Sequence, residues 1–457
     1  MNAPASPSAT PVPTAHVTHA TMEPADPARW LVRGSPGYRR ANLALFVAGF
    51  STFSLLYCVQ PLMPLLGHDF GLSPAQTSLV LSATTMLLAF AILFAGLLSE
   101  SIHRKTLMGV SLVLSSALTV AAAVLPGWQG LLATRAVLGV VLGGVPAVAM
   151  AYLAEEVHPQ GLGMAMGLYV GGTAFGGMAG RVLTGMVADY AGWRVAMGFI
   201  GALCLLAALA FAWLLPPSRR FAPRRGVALA DLFDTLAEHL REPGLRALFA
   251  MAFLLMGGFV TIYNYASYRL LSAPYALSHS AVGAIFMVYL LGIGASTWFG
   301  RLADRHGRGR VLLAGTAAMS AGVLMTLAMP LGLVIGGIAL LTFGFFGAHA
   351  VASGWVGRRA RRAKGQAAAL YLLAYYLGSS IAGTAGGKLY ARWGWPGVVA
   401  LVTAMLACAL LTAAWLWRRA PLPPGAGIDA PAGNSRIVPG SVPARSGCSS
   451  CALSSCC

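Results

Sequence analysis

Charge is scarce in this 457-residue chain: only 10% of residues are Asp, Glu, Lys or Arg, and just 13 of them are acidic. A water-facing surface usually needs about 25% charged residues, so a soluble globular body is excluded. No Asp or Glu lies deep in any of the long apolar runs, which removes the buried carboxylate pair that much acid–base chemistry needs. There is no His-Glu-x-x-His, no Gly-x-Ser-x-Gly and no Gly-x-x-x-x-Gly-Lys-Ser/Thr, so neither a membrane-embedded enzyme nor an ATP-driven pump is expected. Of seven cysteines, Cys58, Cys204 and Cys408 fall in separate apolar runs, and Cys448, Cys451, Cys456 and Cys457 crowd the last ten residues. That distribution gives neither a disulfide framework nor two well-spaced ligand pairs for a structural metal. Neither a metal nor a cofactor is expected.

What the chain has instead is 57% hydrophobic side chains, 55 glycines and a mean hydropathy of +0.72. The apolar residues form runs at 42–66, 76–99, 106–125, 129–154, 163–188, 195–215, 245–270, 281–303, 311–330, 332–356, 366–390 and 396–417. Each has about the 20 residues required to cross a 30 Å hydrocarbon layer. The pattern predicts an all-α membrane protein with twelve transmembrane helices.

The net charge of +18 raises nucleic acid as a partner, but its placement argues otherwise. With both termini on one side, 23 Lys/Arg fall in the segments on that side, against Arg194 and Arg392 on the other. By the positive-inside rule this bias places both termini in the cytoplasm and makes the basicity a topology signal, with membrane lipids and not nucleic acid as the contact. The first 41 residues hold no apolar core of signal-peptide length.

The expected organisation is a disordered tail (1–41), a six-helix bundle (42–215), a linker (216–244), a second six-helix bundle (245–417) and a disordered tail (418–457). In the linker, Leu229, Leu232, Phe233, Leu236 and Leu240 recur at helical spacing beside charged residues, predicting an amphipathic helix. The two bundles echo one another. Gly96-Leu97-Leu98-Ser99-Glu100 returns as Gly300-Arg301-Leu302-Ala303-Asp304, 204 residues on, and Gly192-Trp193 returns as Gly394-Trp395, 202 residues on. Duplicated units of this kind are common in secondary transporters.

The string Gly300-Arg301-Leu302-Ala303-Asp304-Arg305-His306-Gly307-Arg308-Gly309-Arg310 resembles the signature loop of the major facilitator superfamily, Gly-x-Leu-Ala-Asp-Arg-x-Gly-Arg-Arg. The resemblance implies the major facilitator fold, with two pseudo-symmetric six-helix bundles. It also implies a cytoplasmic latch formed by Asp304, Arg305 and Arg308, in which a carboxylate among guanidinium groups makes and breaks charge-assisted hydrogen bonds. Gly300 and Gly307 would let helix ends approach closely. The first-half copy is degraded, with Glu100 in place of the aspartate and Gly96, Leu98, Arg104 and Lys105 remaining.

Within the runs, Arg135 resembles the fourth-helix arginine of the family, with Gly139 and Gly143 on the same face. A charge there needs a partner or a cavity, so Arg135 is either an anion or proton-relay contact or an interhelical hydrogen-bonding residue. Span five carries Gly172, Gly176 and Gly180 in one row and Gly177, Arg181 and Gly185 in the adjacent one. It resembles the fifth-helix signature of drug/proton antiporters, except that Gly177 stands where proline is usual. Arg181 is the second candidate for a charged contact, and Arg135 and Arg181 together are expected to bind an anionic group.

Protonation is expected either at a carboxylate at the mouth of the spans or at His349, which otherwise reads as a packed histidine. Tyr57, Gln60, Asn264 and Tyr375 are candidates for substrate contact, with aromatic faces suiting flat organic molecules. Tyr268 belongs to the same polar and aromatic cluster, and Tyr268 and Arg269, near the outer surface, read alternatively as membrane-interface anchors. Leu56-Tyr57-Cys58-Val59-Gln60-Pro61 and Tyr376-Leu377-Gly378-Ser379-Ser380 are similar to the YnfM-like branch of bacterial inner-membrane carriers, of drug/proton antiporter type. That resemblance implies a monomeric secondary transporter exporting a small organic substrate by alternating access, with protons as coupling ion. Proton-coupled uptake of a sugar or organic acid by symport is the alternative.

Overall fold

A computed structural model describes residues 30–220 and 229–419, with the side chains of 96–101 and 229–233 outside the description. Residues 1–29 and 420–457, most of the two expected tails, lie outside the described residues, as do the side-chain positions of Gly96 and Glu100.

The chain is helical. In order, the first half contains α1 (Pro36–Tyr57), α2 (Met63–Phe70), α3 (Pro74–Thr77), α4 (Leu79–Ser101), α5 (Arg104–Val124), α6 (Gly127–Leu142), α7 (Pro146–Glu156) and α8 (Pro159–Leu214). After α9 (Leu229–Arg241), the second half contains α10 (Pro243–Leu271), α11 (His279–Ile285), α12 (Tyr289–His306), α13 (Arg308–Met325), α14 (Leu331–Arg359) and α15 (Lys364–Arg418). Among the described residues the only β pairing is an isolated bridge between Leu31 and Val157.

Eight of the helical rods are long and apolar enough to cross a membrane. The two longest, α8 and α15, each break at a glycine and cross twice, and the less apolar α1 and α13 complete twelve crossings in two six-helix bundles. The breaks are Gly192 (φ 77°, ψ 172°) and Gly394 (φ 62°, ψ −151°), dihedrals that a Cβ would strain. These are the glycines of the Gly-Trp echo, so that repeat marks the tight reversals between spans five and six and between eleven and twelve. Beside each, the tryptophan indole N–H pins the turn: Trp193 donates to Asp69 Oδ2 (2.6 Å) and Trp395 to the Thr326 carbonyl (3.1 Å).

Several boundaries differ from the periodicity reading. The first helix begins at Pro36 rather than residue 42, N-capped by the Ser35 side chain. Trp30 and Leu31 are also ordered, Leu31 donating to the Glu156 carbonyl. Pro61 and Pro64 interrupt span one, giving α1 and α2, and Pro146 splits span four into α6 and α7, because proline lacks the amide that would continue the ladder. The linker helix forms as expected. Leu236 and His239 turn towards the protein and Leu240 outwards; Leu229, Leu232 and Phe233 lie outside the described side chains.

Helices in lipid gain little from hydrophobic association, so close packing of small residues holds them together. The row Gly172, Gly176, Gly180 seats α8 on α1: a Cβ on Gly172 would lie 2.4 Å from the Phe46 carbonyl oxygen, and one on Gly176 2.2 Å from that of Phe50. The second half repeats the device, with Gly378 of α15 against Phe253 of α10 at 2.1 Å.

Candidate functional site

Two faces of the bundle can be told apart by their contacts. Arg40 donates to the Trp213 carbonyl and Lys105 to that of Leu215, gathering the start of α1, the start of α5 and the end of α8 on the face that carries the chain ends. Arg194 donates to the carbonyls of Ala123 and Leu125 on the opposite face.

The halves engage towards that opposite face. Asp189 of α8 accepts from the His279 and Ser280 amides at the start of α11 (2.9 and 2.7 Å). Tyr268 shares a hydrogen bond with Thr77 (2.5 Å) and donates to the Met63 carbonyl (3.0 Å). Deeper in, Thr85 pairs with Ser380 (2.7 Å) and Thr384 donates to Ser82 (2.9 Å). Tyr268 is therefore an inter-half contact and not a lipid-interface anchor. Arg269 likewise turns inwards, donating to the carbonyls of Thr326 and Ala328.

On the terminus-bearing face the named ion pairs stay within a half. Arg104 grips Glu155 with two nitrogens (2.6 and 3.1 Å), Arg359 grips Glu242 (2.8 and 2.9 Å), and Asp304 pairs with Arg308 (3.2 Å) and Arg358 (3.6 Å). Arg305 is exposed. The signature loop thus holds α12, α13 and α14 of its own bundle. Of its glycines, Gly309 serves close approach, a Cβ there lying 2.6 Å from the Trp417 Cα, whereas a Cβ on Gly300 or Gly307 meets nothing within 4 Å; Gly307 instead adopts φ 86° at the turn between α12 and α13. Arg358, absent from the sequence reading of the latch, is the third member of this cluster.

Between the halves lies a polar and aromatic constellation centred on Arg181. The guanidinium is fully buried. Nε donates to Gln60 Oε1 and Nη1 to the Gly177 carbonyl one turn back. Gln60, in the bend that Pro61 imposes after α1, donates in turn to Asn264 Oδ1 of α10 (2.7 Å). The guanidinium carbon lies 4.3 Å from the ring centre of Tyr57 and 4.6 Å from that of Tyr289, with Tyr263 and Phe286 next out at 5.7 and 5.9 Å. Cation–π contacts of this kind contribute roughly 0.5–2 kcal/mol each, the upper end when desolvated.

From there rings run into the second half. Phe259 packs on Tyr263 (4.6 Å) and stacks on Phe345 (3.9 Å), and Phe345 stacks on His349 (5.8 Å). His349 Nδ1 shares a hydrogen bond with the Tyr371 hydroxyl (2.9 Å), with Tyr375 4.9 Å from its ring. The structure therefore brings Arg181, Gln60, Asn264 and Tyr57 together at one end of a ring ladder, and His349 and Tyr375 at the other.

Arg135 is elsewhere and differently employed. It too is fully buried, but its nitrogens donate to the carbonyls of Leu55 (2.8 Å), Leu56 (2.7 Å) and Val80 (3.1 Å). These carbonyls are where α1 ends and α4 begins, so the guanidinium satisfies backbone acceptors at a helix end and ties three helices together. This arrangement corresponds to the interhelical hydrogen-bonding alternative and keeps Arg135 away from the ring ladder. Tyr289 and Phe286 were not among the sequence candidates. The three-residue 3₁₀ turn at 286–288 that aims them at Arg181 leaves no mark in the hydrophobic periodicity.

Comparison with known proteins agrees with this architecture. A family model of the major facilitator superfamily matches residues 45–272 and 248–446. The chain is 45% identical over 394 residues to the uncharacterized MFS-type transporter YybF of Bacillus subtilis, covering 86% of this chain and 97% of that one. It is 47% identical over 393 residues to the inner membrane transport protein YnfM of Escherichia coli, covering 86% and 94%. Among solved structures, a single-site mutant of the nucleoside transporter NupG superposes with a TM-score of 0.68 at 14% identity, over 83% of this chain and all of that one, a likeness of fold. The chain belongs to the major facilitator superfamily and is a multi-pass membrane protein of the secondary-transporter kind.

Proposed function

We propose that the protein exports a small organic solute across the bacterial inner membrane in exchange for protons. It works as a monomer by alternating access, with both termini in the cytoplasm. The observation that carries this reading is the asymmetry of the two faces. The halves are joined through Asp189, Tyr268 and Gln60 towards the face opposite the termini, while Asp304, Glu155 and Glu242 pair within their own halves on the other. A carrier that rocks two bundles about a central site has such a state, shut on one side and releasable on the other. In the reciprocal state Asp304 and its arginines would be free to engage the opposite half.

The 23 Lys/Arg on the terminus-bearing side, against two on the other, support the orientation, and similarity to an inner membrane transport protein of E. coli supports an inner-membrane location. For the coupling ion, the His349–Tyr371 pair is the titratable group within the ring ladder that we assign to the proton. A second reading, uptake of an organic acid with protons, is favoured by a different observation: Arg181 is a buried cation with no carboxylate partner among the described residues.

The test is transport by purified protein in liposomes under an imposed pH gradient. Solute accumulation against the direction of proton flow is the expected result. Accumulation in the direction of proton flow would replace export by uptake, and flux indifferent to the gradient would remove the proton.

A further inference from the structure

We infer that the Arg181 end of the site takes the carboxylate of an organic anion whose body carries an aromatic ring. This deepens the carrier reading above and rests on it, whichever way the solute moves.

The argument begins with what is left over. Arg181 Nη2, the Tyr57 hydroxyl and Asn264 Nδ2 are all buried without a hydrogen-bond partner, and such groups are costly to seal in a membrane protein unless something satisfies them part of the time. They belong to one constellation, since Gln60 links Arg181 to Asn264 and Tyr57 lies beneath the guanidinium.

Their chemistry is one-sided. The oxygens of Gln60 and Asn264 each already accept one hydrogen bond, from Arg181 and Gln60, so among the atoms left with no partner the two nitrogens can only donate and the phenol alone can also accept. A sugar hydroxyl brings a donor with every acceptor and would find few partners. A cation would meet an uncompensated guanidinium. A carboxylate accepts up to about four hydrogen bonds and cancels the charge.

The described carboxylates do not fill this role. Asp69, Glu155, Glu156, Asp189, Glu242 and Asp304 stand at or near helix ends and Asp234 and Glu238 on α9, and none of them pairs with Arg181. In the closed arrangement the ring faces of Tyr57 and Tyr289 substitute for the anion. When the halves part at this face, the donors are uncovered, and the same rings, continued by Phe286 and Phe259, offer a stacking wall for the ligand body.

The experiment measures binding and counterflow of three probes with one ring system: 2-naphthoate, 2-naphthamide and 2-naphthylmethylamine. Detergent-solubilised and liposome-reconstituted full-length protein are used beside Arg181→Gln, Arg181→Lys and Asn264→Leu. Naphthoate is expected to bind and to exchange. Affinity should fall about tenfold or more in Arg181→Gln, be partly kept in Arg181→Lys, and fall several-fold in Asn264→Leu, the size expected for losing a hydrogen bond to a charged group. The Lys and Leu variants keep the test decisive should the Gln variant not fold.

Preference for the amine or the amide, no saturable binding of naphthoate, or naphthoate affinity unchanged in Arg181→Gln overturns the inference. Exchange of the amine through a protein that ignores naphthoate would leave the carrier reading standing. Binding of naphthoate without exchange of any probe would overturn the carrier reading and leave the anion site in place.

Discussion

Gln60 and Asn264 are joined by a 2.7 Å hydrogen bond that crosses from the first bundle to the second. Neither side chain is exposed, and the bond extends to Arg181 on α8, so one buried relay spans α8, the bend after α1, and α10. Rocking the bundles apart at this face must break it, along with the Asp189 and Tyr268 contacts.

Arg135 predicts a stability effect. Arg135→Ala removes the guanidinium donor from the carbonyls of Leu55, Leu56 and Val80; Val80 keeps Thr84 Oγ1 and Leu55 the weaker Cys58 thiol, so the cost of about 1–3 kcal/mol for a buried group left unmade falls chiefly on Leu56. The expected result is a lower thermal unfolding temperature and poor folded yield, by fluorescence-detected thermal unfolding. A variant as stable as the parent would show that Arg135 does not hold these three helices together.

Gly176→Val should separate α1 from α8, because its Cβ would lie 2.2 Å from the Phe50 carbonyl oxygen, a backbone atom that cannot swing aside. Gly163→Ala, on the same helix, meets nothing within 4 Å and should be neutral or slightly stabilising. The comparison is read by folded yield in detergent, and equal yields would contradict the packing described.

How much of this was legible beforehand depends on the kind of signal. The glycine row at 172, 176 and 180 was readable because helical period and glycine each have a local physical meaning, whereas the Gly192-Trp193 and Gly394-Trp395 echo was readable as a repeat and its tight reversals only from the structure. Arg181 and Gln60 were readable singly, since a charge or an amide in an apolar run needs a partner. Which partner they find was not: Tyr289, Phe286 and Asn264 come from the other half, and pairing across about 200 residues leaves no periodic trace. The Arg135 ambiguity had the same origin, as the acceptors that settle it are backbone carbonyls of Leu55, Leu56 and Val80, invisible in any residue type.

Glu242 gives a pH-dependent prediction. Burial pulls its carboxyl up, but the hydrogen bonds from Arg359 and from the Gly244 and Leu245 amides outweigh that and leave it below its ordinary value of 4.5. A depressed carboxyl stabilises the fold above the unfolded pKa, and the contribution is lost as pH falls through the folded one. Glu242→Gln should therefore unfold more easily than the parent at pH 7, by about 1–2 kcal/mol for a half-exposed charge-assisted pair. The difference should close below pH 4.5. A gap that stays constant with pH would show that the pair is not the cause.

Asp189→Asn removes the charge facing the two amides that begin α11. The closed state of that face should weaken by about 1 kcal/mol, a several-fold change in population. Spin labels at Val124 and Met329, exposed at the same face on opposite halves, should report a longer mean distance in the variant. An unchanged distribution would mean that the carboxylate does not hold the face shut.

The most direct test of the central claim places a second pair of labels at Met164 and Arg361, exposed at the terminus-bearing face, and measures both pairs in one set of lipid-reconstituted samples across pH and added 2-naphthoate. Alternating access predicts reciprocal change: conditions that lengthen the Val124–Met329 distance shorten the Met164–Arg361 distance. Two distances that rise together, or one that never moves while solute is transported, would contradict it.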